Sequence, residues 1–102
     1  MKKISAYIKP FRLESVLTHL PAEGIVDVLI SEVRGYGRQK GHLDLYKDYE
    51  YELVFLPKAN VEIYCEDSAL DTVVKGLIDA ARTGRIGDGK ILIQDVEQSF
   101  DL

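Results

Sequence analysis

Residues Gly84 to Lys90 read G-R-I-G-D-G-K and satisfy the first seven positions of the phosphate-cradling pattern G-x-x-x-x-G-K. Glycines at positions 84, 87 and 89 let the backbone come close to an anion and aim several N–H groups at it, and Lys90 adds a charge. The eighth position departs from the pattern, because Ile91 stands where a serine or threonine would hold magnesium. The segment also follows a helical pattern and opens a strand, the reverse of the order that sets phosphates on a helix N-terminus. A P-loop NTPase is therefore disfavoured. An anion-binding turn and a plain glycine-rich helix-to-strand turn both account for these residues.

A second group of anion-binding residues lies in Gly37-Arg38-Gln39-Lys40-Gly41, with Lys58 farther along. If the glycine-rich turn of one subunit meets this stretch, the cleft gathers Arg38, Lys58, Arg85 and Lys90, enough positive charge for a nucleotide triphosphate or a dicarboxylate. His19 and His42 have no partner at metal-ligand spacing, so a cation in such a cleft would take phosphates as ligands. No Ser-His-Asp set, activated cysteine or spaced carboxylate pair stands out, which argues for a binding protein rather than an enzyme. The lone Cys65 has no partner for an internal disulfide and reads as a small buried hydrophobe.

Positioning these groups requires a scaffold, and the hydrophobic periods describe one. Lys2–Lys9 alternates, with Ile4, Ala6 and Ile8 on one face, and ends at Pro10. Leu13, Val16, Leu17 and Leu20 follow the helical spacing, and Pro21 and Gly24 close that helix. Ile25–Tyr36 returns to strand character, and Lys58–Glu66 alternates again. Between these strands the stretch Gly35–Pro57 reads as a long, mobile loop that mixes both charge signs with Tyr46, Tyr49 and Tyr51. Asp67 or Ser68 is expected to cap a second helix built on Leu70, Val73, Val74, Leu77, Ile78 and Ala81, ended by Thr83 and Gly84. Gly76 inside it suggests a close backbone approach to the sheet or simple tolerance. Ile91–Val96 is the last strand, and the tail after it reads as loosely held.

The order is βαββαβ, which is that of a ferredoxin-like α+β sandwich: an antiparallel sheet with two helices on one face and a long loop between strands 2 and 3. Apolar residues on both strand faces, such as Leu29 beside Val28 and Ile30, imply that the uncovered face packs against copies of the chain. With 102 residues the chain is one domain. A net charge of −4 argues against nucleic-acid binding through bulk positive charge. No apolar run reaches the length of a membrane span and the start lacks a signal peptide's apolar stretch, so a cytoplasmic location is expected.

The stretches MKKISAYIKPFRLESV, EVRGYGRQKGH, LYKDYEYELVFLPK and TGRIGDGKI resemble the PII signal-transduction family along nearly the whole chain. That resemblance implies a homotrimer with nucleotide clefts between neighbours, a T-loop at about residues 37–57 and a B-loop at about 83–90. It implies ATP or ADP binding by Gly35, Gly37, Arg38, Gln39, Gly87, Asp88, Gly89 and Lys90, with Glu62 and Tyr64 reaching in from across the interface. It further implies 2-oxoglutarate binding through Gln39, Lys40, Gly41, Lys58 and Gly87, with Mg2+ held by Gln39 and the ATP phosphates. Tyr51 falls where many members are uridylylated by a uridylyltransferase, whereas Tyr49 replaces the serine that cyanobacterial members phosphorylate. Family targets include ammonium channels and nitrogen-assimilation enzymes. Val26 and Leu29 stand where members usually carry threonines on the adenine side, and Asp101 where they carry an arginine. These departures leave a second reading, an adenylate-binding regulator of another transport or carbon pathway with no 2-oxoglutarate response. A weak ATPase is the third.

Overall fold

A computed structural model of the chain describes residues 1–40, 51–82, 84 and 89–102. The elements run β1 (Lys2–Ile8), a 3-10 turn (Pro10–Arg12), α1 (Leu13–Thr18), β2 (Ile25–Lys40), β3 (Tyr51–Cys65), a second 3-10 turn (Asp67–Ala69), α2 (Leu70–Ala81) and β4 (Lys90–Asp95). The strands form one sheet in the order β2-β3-β1-β4, with every neighbouring pair antiparallel. This is the ferredoxin-like βαββαβ architecture expected from the periodicity.

The two central strands supply the core because they alone have neighbours on both sides. Ile4, Ala6 and Ile8 of β1 and Ala59, Val61, Ile63 and Cys65 of β3 are buried against Val16 of α1 and Val73, Leu77 and Ala80 of α2. The alternation read from the sequence thus selects the helix-covered face correctly, and burial pushes the Cys65 thiol up from its ordinary value. Two short helices cannot reach the sheet edges: Ile30 on β2 and Ile93 on β4 remain 48% exposed.

Several local expectations are corrected. α1 ends at Thr18, earlier than Leu20, because the residue before Pro21 is driven out of the helical region. The final turn is closed instead by His19, whose Nδ1–H donates to the Ser15 carbonyl at 2.7 Å. Neither Asp67 nor Ser68 caps α2: Ala69 occupies the N-cap without a side-chain hydrogen bond, and Asp67 pairs with the Met1 ammonium at 2.9 Å. That ammonium holds the Asp67 carboxyl below the usual carboxylate range, first by hydrogen bonding and then by charge.

Gly76 approaches α1 rather than the sheet. A Cβ there would lie 2.7 Å from the His19 carbonyl oxygen, so the missing side chain sets the spacing of the two helices. Gly24 serves a different end, with a φ of 82° and the Ala69 Cβ where its own side chain would stand.

Strand length is the largest departure. The sequence ends the second strand at Tyr36 and starts the third at Lys58, yet β2 and β3 remain paired from Val33↔Lys58 out to Lys40↔Tyr51. The mixed polar composition hid this, since strand pairing rests on backbone hydrogen bonds that side-chain periodicity does not report. The remainder of the expected loop, including Gly41, His42, Tyr46 and Tyr49, lies outside the described residues.

Candidate functional site

The end of the sheet from which the β2–β3 ribbon leaves is also the end to which the chain returns after α2. Ile8, the last residue of β1, pairs with Ala59, and beyond that point only β2 and β3 continue. At about 3.3 Å per residue, the seven residues 34–40 carry the ribbon roughly 23 Å past Val33. Lys90 opens β4 opposite Tyr7, which is opposite Asn60, which is opposite Ser31. One row across the uncovered face therefore joins the exit of the glycine-rich turn to the base of the ribbon.

Within the turn, Gly84 adopts a φ of 83°, conformational freedom that a side chain would restrict. Gly89 brings the backbone close to β1: a Cβ there would meet the Tyr7 carbonyl oxygen at 3.2 Å. Arg85, Gly87 and Asp88 lie outside the described residues. Gly35, Gly37, Arg38, Gln39 and Lys40 all belong to β2, opposite Leu56, Val54, Leu53, Glu52 and Tyr51 respectively. Tyr51 is thus the first residue of β3, at the far end of the ribbon.

Lys58 and Lys90 share the face away from the helices, since Ala59, Val61 and Ile63 between them point into the core. They sit two strand spacings apart, about 10 Å laterally. Glu62 and Tyr64 occupy the same face but farther from the ribbon. Tyr64 is four residues beyond Asn60, about 13 Å along the strand. Glu62 is half-buried, with Lys3 Nζ at 3.7 Å from its Oε1. In one subunit, then, Lys90 and the ribbon base can approach a common ligand, whereas Tyr64 stands well away from both.

The adenine-side expectation gains a structural detail. The β2–β3 register shifts between Ile25 and Asp27, leaving Val26 at a bulge and 58% exposed, while Asp27 Oδ1 accepts a hydrogen bond from the Val28 N–H at 2.9 Å. Leu29, opposite Glu62, is 50% exposed on the uncovered face. A cavity of about 320 Å³ lined by Pro21, Glu23, Gly24, Glu66, Ser68, Ala69 and Thr72 lies at the opposite end of the sheet and contains none of the candidate ligand-binding residues.

Sequence reasoning missed Asn60. Its residue type is unusual for the middle of a central strand, and it is buried together with Ser5 at the centre of the uncovered face. That face is therefore polar at its middle, with the half-exposed apolar side chains Leu29 and Leu92 to either side. The expectation of apolar residues on both faces holds only at those flanks.

The arrangement of these groups is accompanied by similarity over nearly the full chain. The family model described as nitrogen regulatory protein P-II matches residues 1–101. A nitrogen regulatory protein P-II of Microchaete diplosiphon is 54% identical over 96% of this chain and 88% of its own length. One from Pasteurella multocida is 49% identical with the same coverage. Nitrogen regulatory protein P-II 1 of Escherichia coli K12 is 51% identical over 94% of this chain and 86% of its own length. The chain belongs to the nitrogen regulatory protein P-II family, whose members act as regulators of target proteins and not as enzymes.

Proposed function

We propose that this protein is a cytoplasmic homotrimeric sensor of ATP, ADP and 2-oxoglutarate that controls nitrogen-metabolism targets, such as an ammonium channel or an assimilatory enzyme, through the tip of its β2–β3 ribbon. The observation that carries this reading is the shared origin of the ribbon and the glycine-rich turn at one end of the sheet, with Lys58 and Lys90 on one face. A ligand bound there touches the base of a long lever, so its occupancy can bias where the tip points.

On this reading Gly35, Gly37, Arg38, Gln39, Gly87, Asp88, Gly89 and Lys90 of one subunit hold the nucleotide. Glu62 and Tyr64 come from a neighbour, which agrees with the roughly 13 Å that separates Tyr64 from the Lys90 row within a chain. The close approach of Gly89 to β1 and the cationic Lys58 and Lys90 fit an anionic ligand. Among the described residues no three His, Cys, Asp or Glu side chains converge, so Mg2+ would be held by nucleotide phosphates and Gln39. Magnesium would supply charge neutralisation between the triphosphate and a dicarboxylate. Gln39, Lys40, Gly41, Lys58 and Gly87 then receive 2-oxoglutarate, with Lys58 pairing with a carboxylate. The two ligands bind cooperatively because each brings charge the other's site must balance. Tyr51, beside Lys40 at the far end of the ribbon, is the residue a uridylyltransferase would modify.

A second reading is favoured by Val26 and Leu29, whose exposed aliphatic side chains offer an adenine no hydroxyl. It is an adenylate-binding regulator without a 2-oxoglutarate response. Calorimetry with ATP, ADP, AMP and 2-oxoglutarate, with and without magnesium, separates the two. Binding of 2-oxoglutarate that requires MgATP and disappears in Lys58→Ala supports the first; adenylate binding with no 2-oxoglutarate heat under any condition supports the second. Multiple-turnover phosphate release would contradict both.

A further inference from the structure

The centre of the uncovered sheet face holds a group that the isolated subunit does not satisfy. Asn60 is only 7% exposed, its Nδ2 lies 3.5 Å from Glu62 Oε1, and its Oδ1 is buried with no hydrogen-bond partner among the described residues. Its cross-strand neighbours are Tyr7 and Ser31. A desolvated acceptor with no donor destabilises a fold, and a leucine of similar size would remove that cost. Within the sheet the amide is engaged through its nitrogen, by the long contact to Glu62, while its oxygen is left over.

We propose that Asn60 determines the register of self-association: its Oδ1 accepts a hydrogen bond from the same face of a second copy of this chain. This inference rests on the homo-oligomeric reading and adds to it the residue that selects one arrangement. The occupant is a second copy because the face is complementary to itself in charge, carrying Lys3, Lys58 and Lys90 along with Asp27 and Glu62. The same face also bears the donor hydroxyls of Tyr7 and Ser31. Half-exposed Leu29 and Leu92 supply non-directional attraction that many arrangements could satisfy. A buried amide tolerates only those arrangements that bring it a donor, as polar core positions do in coiled coils.

Sedimentation equilibrium and native mass spectrometry of the full chain test the inference in the wild type, Asn60→Leu and Asn60→Asp. The wild type is expected to form a single stoichiometry. Asn60→Leu is expected to remain folded by circular dichroism and to spread over more than one stoichiometry, a change that a merely structural role would not produce. Asn60→Asp adds a carboxylate beside Glu62 and is expected to raise the dissociation constant by about tenfold or more. If Asn60→Leu does not fold, Asn60→Ala, which likewise lacks the acceptor, is measured in its place, and wild-type association by it overturns the inference. A single wild-type stoichiometry retained by both variants overturns the role of Asn60 and leaves the homo-oligomer intact. A monomeric wild type overturns both.

Discussion

Replacing Gly76 by alanine sets two effects of opposite sign against each other. Alanine inside an exposed helix is worth about 1 kcal/mol over glycine through backbone entropy. Here, however, the new Cβ would sit 2.7 Å from the His19 carbonyl oxygen, a separation real Cβ atoms essentially never show. The obstacle is backbone, so no rotamer change relieves it, and the C-terminal end of α1 must move away from α2. Such overpacking costs about 1–3 kcal/mol, and the shift also loosens Val16 and Leu77, both fully buried in the shared core. Because the obstacle is backbone and the core loosens with it, the clash wins, leaving a net loss of up to about 2 kcal/mol. For a domain of this size that lowers the melting temperature by up to roughly 15 °C. Urea unfolding at fixed protein concentration measures it, with Gly84→Ala as the comparison, because a Cβ at Gly84 would meet no described atom within 4 Å and the backbone strain of its positive φ is the cost that remains. A Gly76→Ala protein as stable as the wild type, or more stable, would refute the claim that this glycine spaces the helices.

Lys90→Ala should weaken triphosphate binding by about 1.5–3 kcal/mol, the range for a hydrogen bond to a charged group; calorimetry giving unchanged affinity would remove the glycine-rich turn from the site. Tyr51→Phe should leave nucleotide binding unaltered and abolish uridylylation, so labelling that persists in this variant would place the modification elsewhere. The Lys2 ammonium is held above its ordinary value of 10.5, first by its hydrogen bond to Asp95. A raised folded value means that the contact contributes fully below pH 10.5 and is lost as pH rises through the folded value. The difference in denaturation midpoint between wild type and Asp95→Asn should accordingly be present at pH 8 and shrink above pH 10.5, whereas a difference that grows with pH would contradict the assignment.

The sequence by itself determined the βαββαβ order and the identity of the buried face. Ile4, Ala6 and Ile8 on β1 and Val61, Ile63 and Cys65 on β3 alternate because one side of each strand must meet the helices, and Val73 and Leu77 recur at the helical period for the same reason. Pairing between distant segments was not legible: the ribbon from Val33 to Lys40 is held by backbone hydrogen bonds to Tyr51–Lys58, which side-chain periodicity does not report. Nor could spacing along the chain reveal that Gly76 faces the end of α1, or that Asn60 would be stripped of solvent without a partner for its oxygen. Those facts depend on which atoms the fold brings within a few ångströms, and only the tertiary structure decided them.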